Sequence, residues 1–155
     1  MKKISNNEFN ELEWHDSIIE KIEIDRSRPG ENDSIEILIS WYDGAKNKLR
    51  FDNVRWADLN MNFGIVALES IYDASAEGRE NACVKECYAK WNGRIDNISL
   101  NYYEIETNST GSKIQIVAEE TYLSEYPSER QGFRPFSCIF QEKLRILQFI
   151  RRLMA

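Results

Sequence analysis

The sequence has little of what marks flexible, membrane-spanning or nucleic-acid-binding chains. Seven glycines and three prolines among 155 residues leave no room for a long flexible linker or a low-complexity tail. The longest unbroken aliphatic run, Ile65–Leu68, is far below the roughly 18 residues that would span a bilayer. Acidic residues outnumber basic ones by 26 to 20, whereas nucleic-acid binders normally show a basic stripe. We therefore expect one domain, residues 1–155, that binds neither membrane nor nucleic acid.

The amino terminus and the cysteines predict the compartment. Residues 1–8 are charged, but no apolar segment of the signal-peptide kind follows them. The chain has three cysteines, an odd number that favours reduced thiols over a disulfide framework. We therefore expect a cytoplasmic protein.

The first half of the chain has the alternating pattern of half-buried strands. Residues 17–25 and 34–42 each alternate apolar and polar side chains, and the polar stretch between them contains the turn signal Pro29-Gly30. Asp43-Gly44 then marks a hairpin that leads into a strand with Leu49 and Phe51.

The register of this hairpin follows from its apolar face. Only a loop with an odd number of residues keeps the apolar side chains of both strands on one face, which predicts a loop of three or five residues. A three-residue loop would pair Ile39 with Leu49 and Ile37 with Phe51. Val54 and Trp56 fall out of phase with that face, so we expect a bulge or bend near Asp52-Asn53.

The second half mixes helix and strand. Residues 80–91 place Val84, Cys87, Tyr88 and Trp91 on one helical face. Residues 97–106 and 112–122 predict a second hairpin, residues 123–135 a loop, and residues 140–154 a basic C-terminal helix. The sequence thus predicts an α+β fold, mainly an antiparallel β-sheet of about six to eight strands in hairpins, with one internal and one C-terminal helix.

Few residues offer catalytic or metal chemistry. His15 is the only histidine, and its neighbours Asp16 and Ser17 cannot form a triad with it, because a triad is assembled from residues distant in sequence. We interpret Asp16 and Ser17 as residues that bind local backbone at the entry to the first strand. On number alone, His15 and the cysteines Cys83, Cys87 and Cys138 could form a zinc site, but no close Cys-x-x-Cys pair supports one. We predict no cofactor and no metal.

The charges are polarised along the chain. Residues 131–155 hold five basic residues and one acidic residue, so the remainder is more acidic than the net charge of −6 suggests. Tyrosines lie among the acidic side chains of residues 101–130, which precede that basic segment. Tyrosine is enriched at interface hot spots. The candidate partner-binding residues are Tyr103, Glu104, Glu119, Glu120, Tyr122, Glu125 and Tyr126.

A short motif near the amino terminus carries a resemblance. Leu12–Ile18 reads Leu-Glu-Trp-His-Asp-Ser-Ile, and residues 49–54 read Leu-Arg-Phe-Asp-Asn-Val. This pattern resembles small bacterial proteins of uncharacterised and predicted-immunity families, which open with a Trp/Leu-His-Asp-Ser turn before the first strand. The resemblance covers about the first 55 residues. It implies a β-rich cytosolic protein whose relatives are in part predicted to neutralise toxins of interbacterial competition.

The resemblance supplies no catalytic residue, and it implies a structural role for Trp14, His15, Asp16 and Ser17 at the start of the sheet. Our leading hypothesis is a non-enzymatic immunity protein that binds a cationic toxin, such as a nuclease, through an acidic surface. One alternative is a small hydrolase that uses cross-strand carboxylates or His15. Another is a structural module that associates with itself.

Overall fold

The computed structural model describes residues 1–127. These residues form nine strands: β1 (Lys2–Lys3), β2 (Ile18–Asp25), β3 (Ser34–Ser40), β4 (Lys46–Asp52), β5 (Trp56–Asn60), β6 (Glu69–Glu77), β7 (Asn101–Thr107), β8 (Lys113–Ala118) and β9 (Glu120–Glu125). They also form two helices: α1 (Asn6–Asn10) and α2 (Ala82–Trp91). The predicted C-terminal helix, residues 140–154, lies outside the described residues.

All nine strands join one antiparallel sheet in the order β1-β9-β4-β3-β2-β6-β7-β8-β5. The α+β class with a mainly antiparallel sheet is confirmed, but nine strands exceed the predicted six to eight. None of the helices within residues 1–127 has the length and apolar character needed to cross a membrane.

The sheet bends into two layers at the junction of β2 and β6. Only two residue pairs join these strands, Ile18 with Ser70 and Ile19 with Glu69. Phe51 on β4 and Tyr103 on β7 stand far apart in the strand order, yet their ring centroids lie 5.0 Å apart. The first layer (β1, β9, β4, β3 and β2) therefore faces the second layer (β6, β7, β8 and β5), and the main core lies between them.

The short helix α1 closes part of this core. Ser5 caps it with a capping box, in which Ser5 Oγ accepts from the Glu8 amide while the Glu8 carboxylate accepts from the Ser5 amide. The Phe9 ring is fully buried and contacts Phe51 and Tyr103, one from each layer. A five-residue helix thus holds both layers together.

Helix α2 packs on the outer face of the second layer. Val84 and Cys87 are buried there against Tyr102 and Val117, which form a second, smaller core cluster. Asn81 caps the helix, since its Oδ1 accepts from the Cys83 amide at 2.8 Å. The internal helix predicted for residues 80–91 is confirmed, with its first turn two residues later than expected.

The loop of the first hairpin has an odd number of residues, as predicted, but β3 and β4 pair in a different register from the three-residue alternative. The loop between β3 and β4 has five residues, 41–45, within the predicted choice of three or five. Ile37 faces Leu49 and Ile35 faces Phe51, a shift of two residues from the pairs that a three-residue loop would give. The bend is present beyond β4, because Asn53 adopts a positive φ of 52° before the chain crosses to the second layer.

Other predictions in the second half need correction. Strand β7 begins at Asn101 and not at residue 97, and its Tyr103 and Ile105 face the main core while Tyr102 faces the smaller core cluster at α2. The strand predicted over residues 112–122 is interrupted at Glu119, where the chain passes from one layer to the other. Strand β9 then continues to Glu125, into the stretch predicted as loop.

Candidate functional site

The Trp-His-Asp-Ser motif fastens the entry of β2 to β6. Trp14 is buried, and its indole Nε1 donates to the Phe9 carbonyl at 2.8 Å. Ser17 Oγ donates to the Glu13 carbonyl at 2.9 Å. The Asp16 amide donates to the Ile71 carbonyl at 3.0 Å, with Asp16 itself at a φ of 62°. Asp tolerates this left-handed conformation better than most residues, so the motif has a clear structural use.

His15 is the exposed member of the motif. Its Nδ1 lies 3.1 Å from the carbonyl oxygen of Tyr72. Because a carbonyl can only accept, Nδ1 is the donor in this bond, and Nε2 lies 3.8 Å from Asp16 Oδ2. Within residues 1–127, no serine, threonine or cysteine side chain hydrogen-bonds to the His15 ring, so His15 is paired with no nucleophile in this part of the chain.

The seven candidate partner-binding residues do not share one surface. Tyr103 requires a correction: it is only 2% exposed and packs between Phe9 and Phe51, so its ring is unavailable to a partner. Glu104 lies on the outer face of the second layer, whereas Glu120 and Tyr122 lie on the outer face of the first. These two faces point away from each other because the core lies between the layers.

Glu104 belongs to a network on the outer face of β7 and β8. Lys113 Nζ lies 2.9 Å from its carboxylate, and the Tyr102 hydroxyl donates to it. Burial alone would raise the pKa of Glu104, but the hydrogen bonds from Lys113 and Tyr102 outweigh this and lower it below its usual value. The Glu104 carboxylate is therefore ionised, and Lys113 already compensates its negative charge.

The remaining acids near β9 are compensated in the same way. Glu119 accepts from Arg55 Nε at 3.0 Å at the crossing between the layers. Glu120 pairs with Lys3 at 2.7 Å and accepts from the Tyr122 hydroxyl. These bonds lower the pKa of Glu120 and raise that of Tyr122. Of the seven residues, Glu125 and Tyr126 follow at the end of β9, where the Tyr126 amide donates to the Lys46 carbonyl at 2.8 Å.

The described residues contain no assembled metal site. No group of three His, Cys, Asp or Glu side chains within residues 1–127 could hold an ion. Cys83 and Cys87 are free thiols on α2, and burial raises the pKa of both, which makes them poor thiolate ligands. Cys138, the third member of the zinc alternative, lies outside the described residues.

The most conspicuous surface is a loop that the sequence did not single out. Between β5 and β6, residues 63–68 project four large apolar side chains into solvent: Phe63, Ile65, Val66 and Leu68. Phe63 is 86% exposed and Leu68 is 68% exposed. We call residues 63–68 the apolar loop. Contiguous exposed apolar groups of this kind mark interaction sites more often than ordinary surface.

Hydrogen bonds hold both ends of the apolar loop to the turn between β7 and β8. At one end, the Asn62 amide donates to Ser112 Oγ at 3.0 Å, and its side-chain nitrogen donates to the Thr110 carbonyl at 3.0 Å. At the other end, the Ser70 amide donates to Ser109 Oγ at 3.0 Å. The apolar tip is thus presented on a fixed base.

A shallow depression of about 380 Å³ lies beyond the carboxyl end of the apolar loop. Exposed Tyr72, His15 and Tyr42 line it, together with Glu13 and Asp73. Tyr72 lies on β6, four residues after Leu68, the last residue of the apolar loop. The depression thus combines aromatic rings with carboxylates.

One signal in the sequence could have located the loop. Ile65–Leu68 is the longest aliphatic run of the chain, yet it lacks the alternating polar residues of a half-buried strand. A run without a polar face must be buried on all sides or serve an interface.

Comparison of the sequence with protein-family models and with curated proteins gives no match for this chain.

Proposed function

We propose that this protein is a non-enzymatic binding protein that neutralises a basic partner protein, as an immunity protein occludes a toxin. The apolar loop carries this proposal. Its four exposed side chains serve no purpose in the core, and burying each of them against a partner would contribute roughly 1.5–3 kcal/mol. Hydrogen bonds fix the base of the loop, so little conformational entropy is lost when a partner binds.

The charge around the loop favours a basic partner. Residues 1–127 hold 24 acidic and 14 basic side chains. Asp58 and Asp73 flank the loop on β5 and β6, and neither forms an ion pair with a described residue. A positively charged surface would be steered toward this region and would lose on-rate as salt increases.

The test uses the protein encoded beside this gene as the partner. We expect the two purified proteins to form a complex in isothermal titration calorimetry, and co-expression to restore growth that the partner alone inhibits. Phe63→Ala should weaken the complex about tenfold or more, since truncating a hot-spot residue costs about 2 kcal/mol or more.

Two further outcomes bear on the proposal. The control variant is Tyr122→Ala, on the outer face of the first layer; it should leave the affinity unchanged. Absence of both complex and protection would refute the proposed function. Assembly of the chain with itself through the apolar loop, seen by light scattering and lost in Phe63→Ala, would instead favour the self-associating module.

A further inference from the structure

Strand β5 is an open edge of the sheet. It is the last strand in the order, and only β8 pairs with it among residues 1–127. The Thr107 amide donates to the Ser112 carbonyl, which fixes the alternation of β8: residues 113, 115 and 117 bond toward β5. Residues 56, 58 and 60 of β5 therefore bond inward, and the backbone N–H and C=O groups of Ala57 and Leu59 point away from the sheet.

A groove of about 740 Å³ runs along this edge. Ala57 and Leu59 line one wall, and Ile24, Ile35 and Val54 line apolar parts of the other. The groove is where the two layers fail to close, because among residues 1–127 no further strand joins β5 to the first layer. Its volume lies within the range of roughly 300–1,000 Å³ that is typical of ligand sites.

We propose that an extended segment of a basic partner pairs with β5 as an additional strand and fills this groove. The inference rests on the proposed function for the identity of the partner, but it concerns a different part of the surface from the apolar loop. The backbone of the segment would bond to Ala57 and Leu59, and its alternate apolar side chains would enter the groove.

The unpaired charge of the edge favours a basic partner, because Arg26 and Arg55, which also line the groove, form ion pairs with Asp33 and Glu119. Asp58 points to the outer face, opposite Gln115, and pairs with no basic residue among residues 1–127. An incoming strand would place a side chain directly opposite Asp58, where a lysine or arginine is favoured. Pairing with a second copy of β5 through Ala57 and Leu59 would set two Asp58 carboxylates opposite each other, which disfavours self-association at this edge.

The first measurement needs no partner. In the free protein, amide hydrogen exchange should be fast at Ala57 and Leu59 and slow at Asp58, whose amide bonds to β8. Protection of Ala57 and Leu59 in the free protein would show that the edge is already covered and would overturn the proposal.

The second measurement adds an eight-residue peptide of alternating lysine and valine, with blocked termini, to the full chain. NMR signals of the protein then report the binding. We expect the peptide to protect the Ala57 and Leu59 amides and to shift the Trp56 indole signal. A peptide of the same composition with four lysines followed by four valines cannot present valine on one face only and should bind at least tenfold more weakly. Equal binding of both peptides would mean that charge alone accounts for the affinity, and it would refute strand addition.

Ala57→Pro removes an outward N–H, and the proline ring obstructs the incoming strand. It should weaken binding of the alternating peptide roughly tenfold, whereas Ala57→Thr, which keeps the N–H and suits a strand, should not. If Ala57→Pro fails to fold, N-methylation of the peptide's central residues tests the same bonds from the other side. Partner binding that is lost in Phe63→Ala but kept in Ala57→Pro would refute strand addition and leave the proposed function intact.

Discussion

At the scale of single residues, the Trp-His-Asp-Ser motif shows how a few hydrogen bonds direct a strand. Ser17 is fully buried, and its hydroxyl donates to the Glu13 carbonyl within the turn. Its own carbonyl accepts from the Ile71 amide at 2.7 Å, one of the few bonds between the layers near the β2–β6 junction. The motif therefore positions the point at which the sheet bends.

Ser17→Ala should destabilise the protein by about 1 kcal/mol, because the Glu13 carbonyl loses its donor while only one side-chain oxygen is removed from the buried site. Urea denaturation monitored by tryptophan fluorescence measures the change. The control is Ser124→Ala on the half-exposed outer side of β9, which should change the free energy of unfolding by less than about 0.5 kcal/mol. Equal losses in both variants would mean that Ser17 contributes only its strand preference.

At the scale of elements, the hairpin and α2 could be predicted because their signals are local. The parity of the β3–β4 loop follows from keeping Ile37 and Leu49 on one face, whatever the rest of the chain does. Strand β6 gives no such signal, because a register shift between Ile71 and Asp73 breaks its alternation. Helix α1 is too short for a periodic pattern and depends on Phe9 reaching the core.

Helix α1 supplies a prediction for the dependence of stability on pH. Hydrogen bonds from Lys2 and the Ser5 amide lower the pKa of Glu8 from its ordinary value of 4.5 to about 2. A lowered pKa in the folded state favours the folded protein above pH 4.5, and that contribution disappears as the pH falls through about 2. Glu8→Gln should therefore be less stable than the native chain at pH 6, with a difference that shrinks toward pH 2.

Urea denaturation of both proteins between pH 6 and pH 2 measures this difference, and an NMR titration of the Glu8 carboxylate gives its pKa directly. The matched control is Glu11→Gln, which lies just beyond the same helix and takes no part in the capping box. A difference between native protein and Glu8→Gln that stays constant with pH would show that the capping box does not depend on charge.

At the scale of the whole molecule, the folding of one sheet into two layers was beyond the sequence. The contact between Phe51 and Tyr103 joins positions 52 residues apart in the chain, and only two residue pairs at the β2–β6 junction decide where the sheet bends. Tyr103 and Glu104 point to opposite faces because they are consecutive residues of β7. The bend then covers the face of Tyr103 with the first layer and turns Glu104 away from Tyr122, which is why the predicted binding residues separate.

The same architecture predicts opposite behaviour for two phenylalanines. Phe9 is fully buried and touches rings of both layers, whereas Phe63 is 86% exposed on the apolar loop. Phe9→Ala should cost about 3–5 kcal/mol of unfolding free energy, because it removes a buried ring and leaves a cavity. Phe63→Ala should change stability by less than about 0.5 kcal/mol and yet weaken partner binding.

The two variants form a matched pair, since each deletes one phenyl ring from the same chain, and urea denaturation with calorimetric binding separates their effects. A large loss of stability in Phe63→Ala would mean that the loop side chains are packed in solution, and the proposed interface would then fail. A stable Phe63→Ala variant that no longer binds would separate the two uses of apolar surface in this fold. The core between the layers stabilises the scaffold, and the apolar loop, which contributes nothing to that core, is left for the partner.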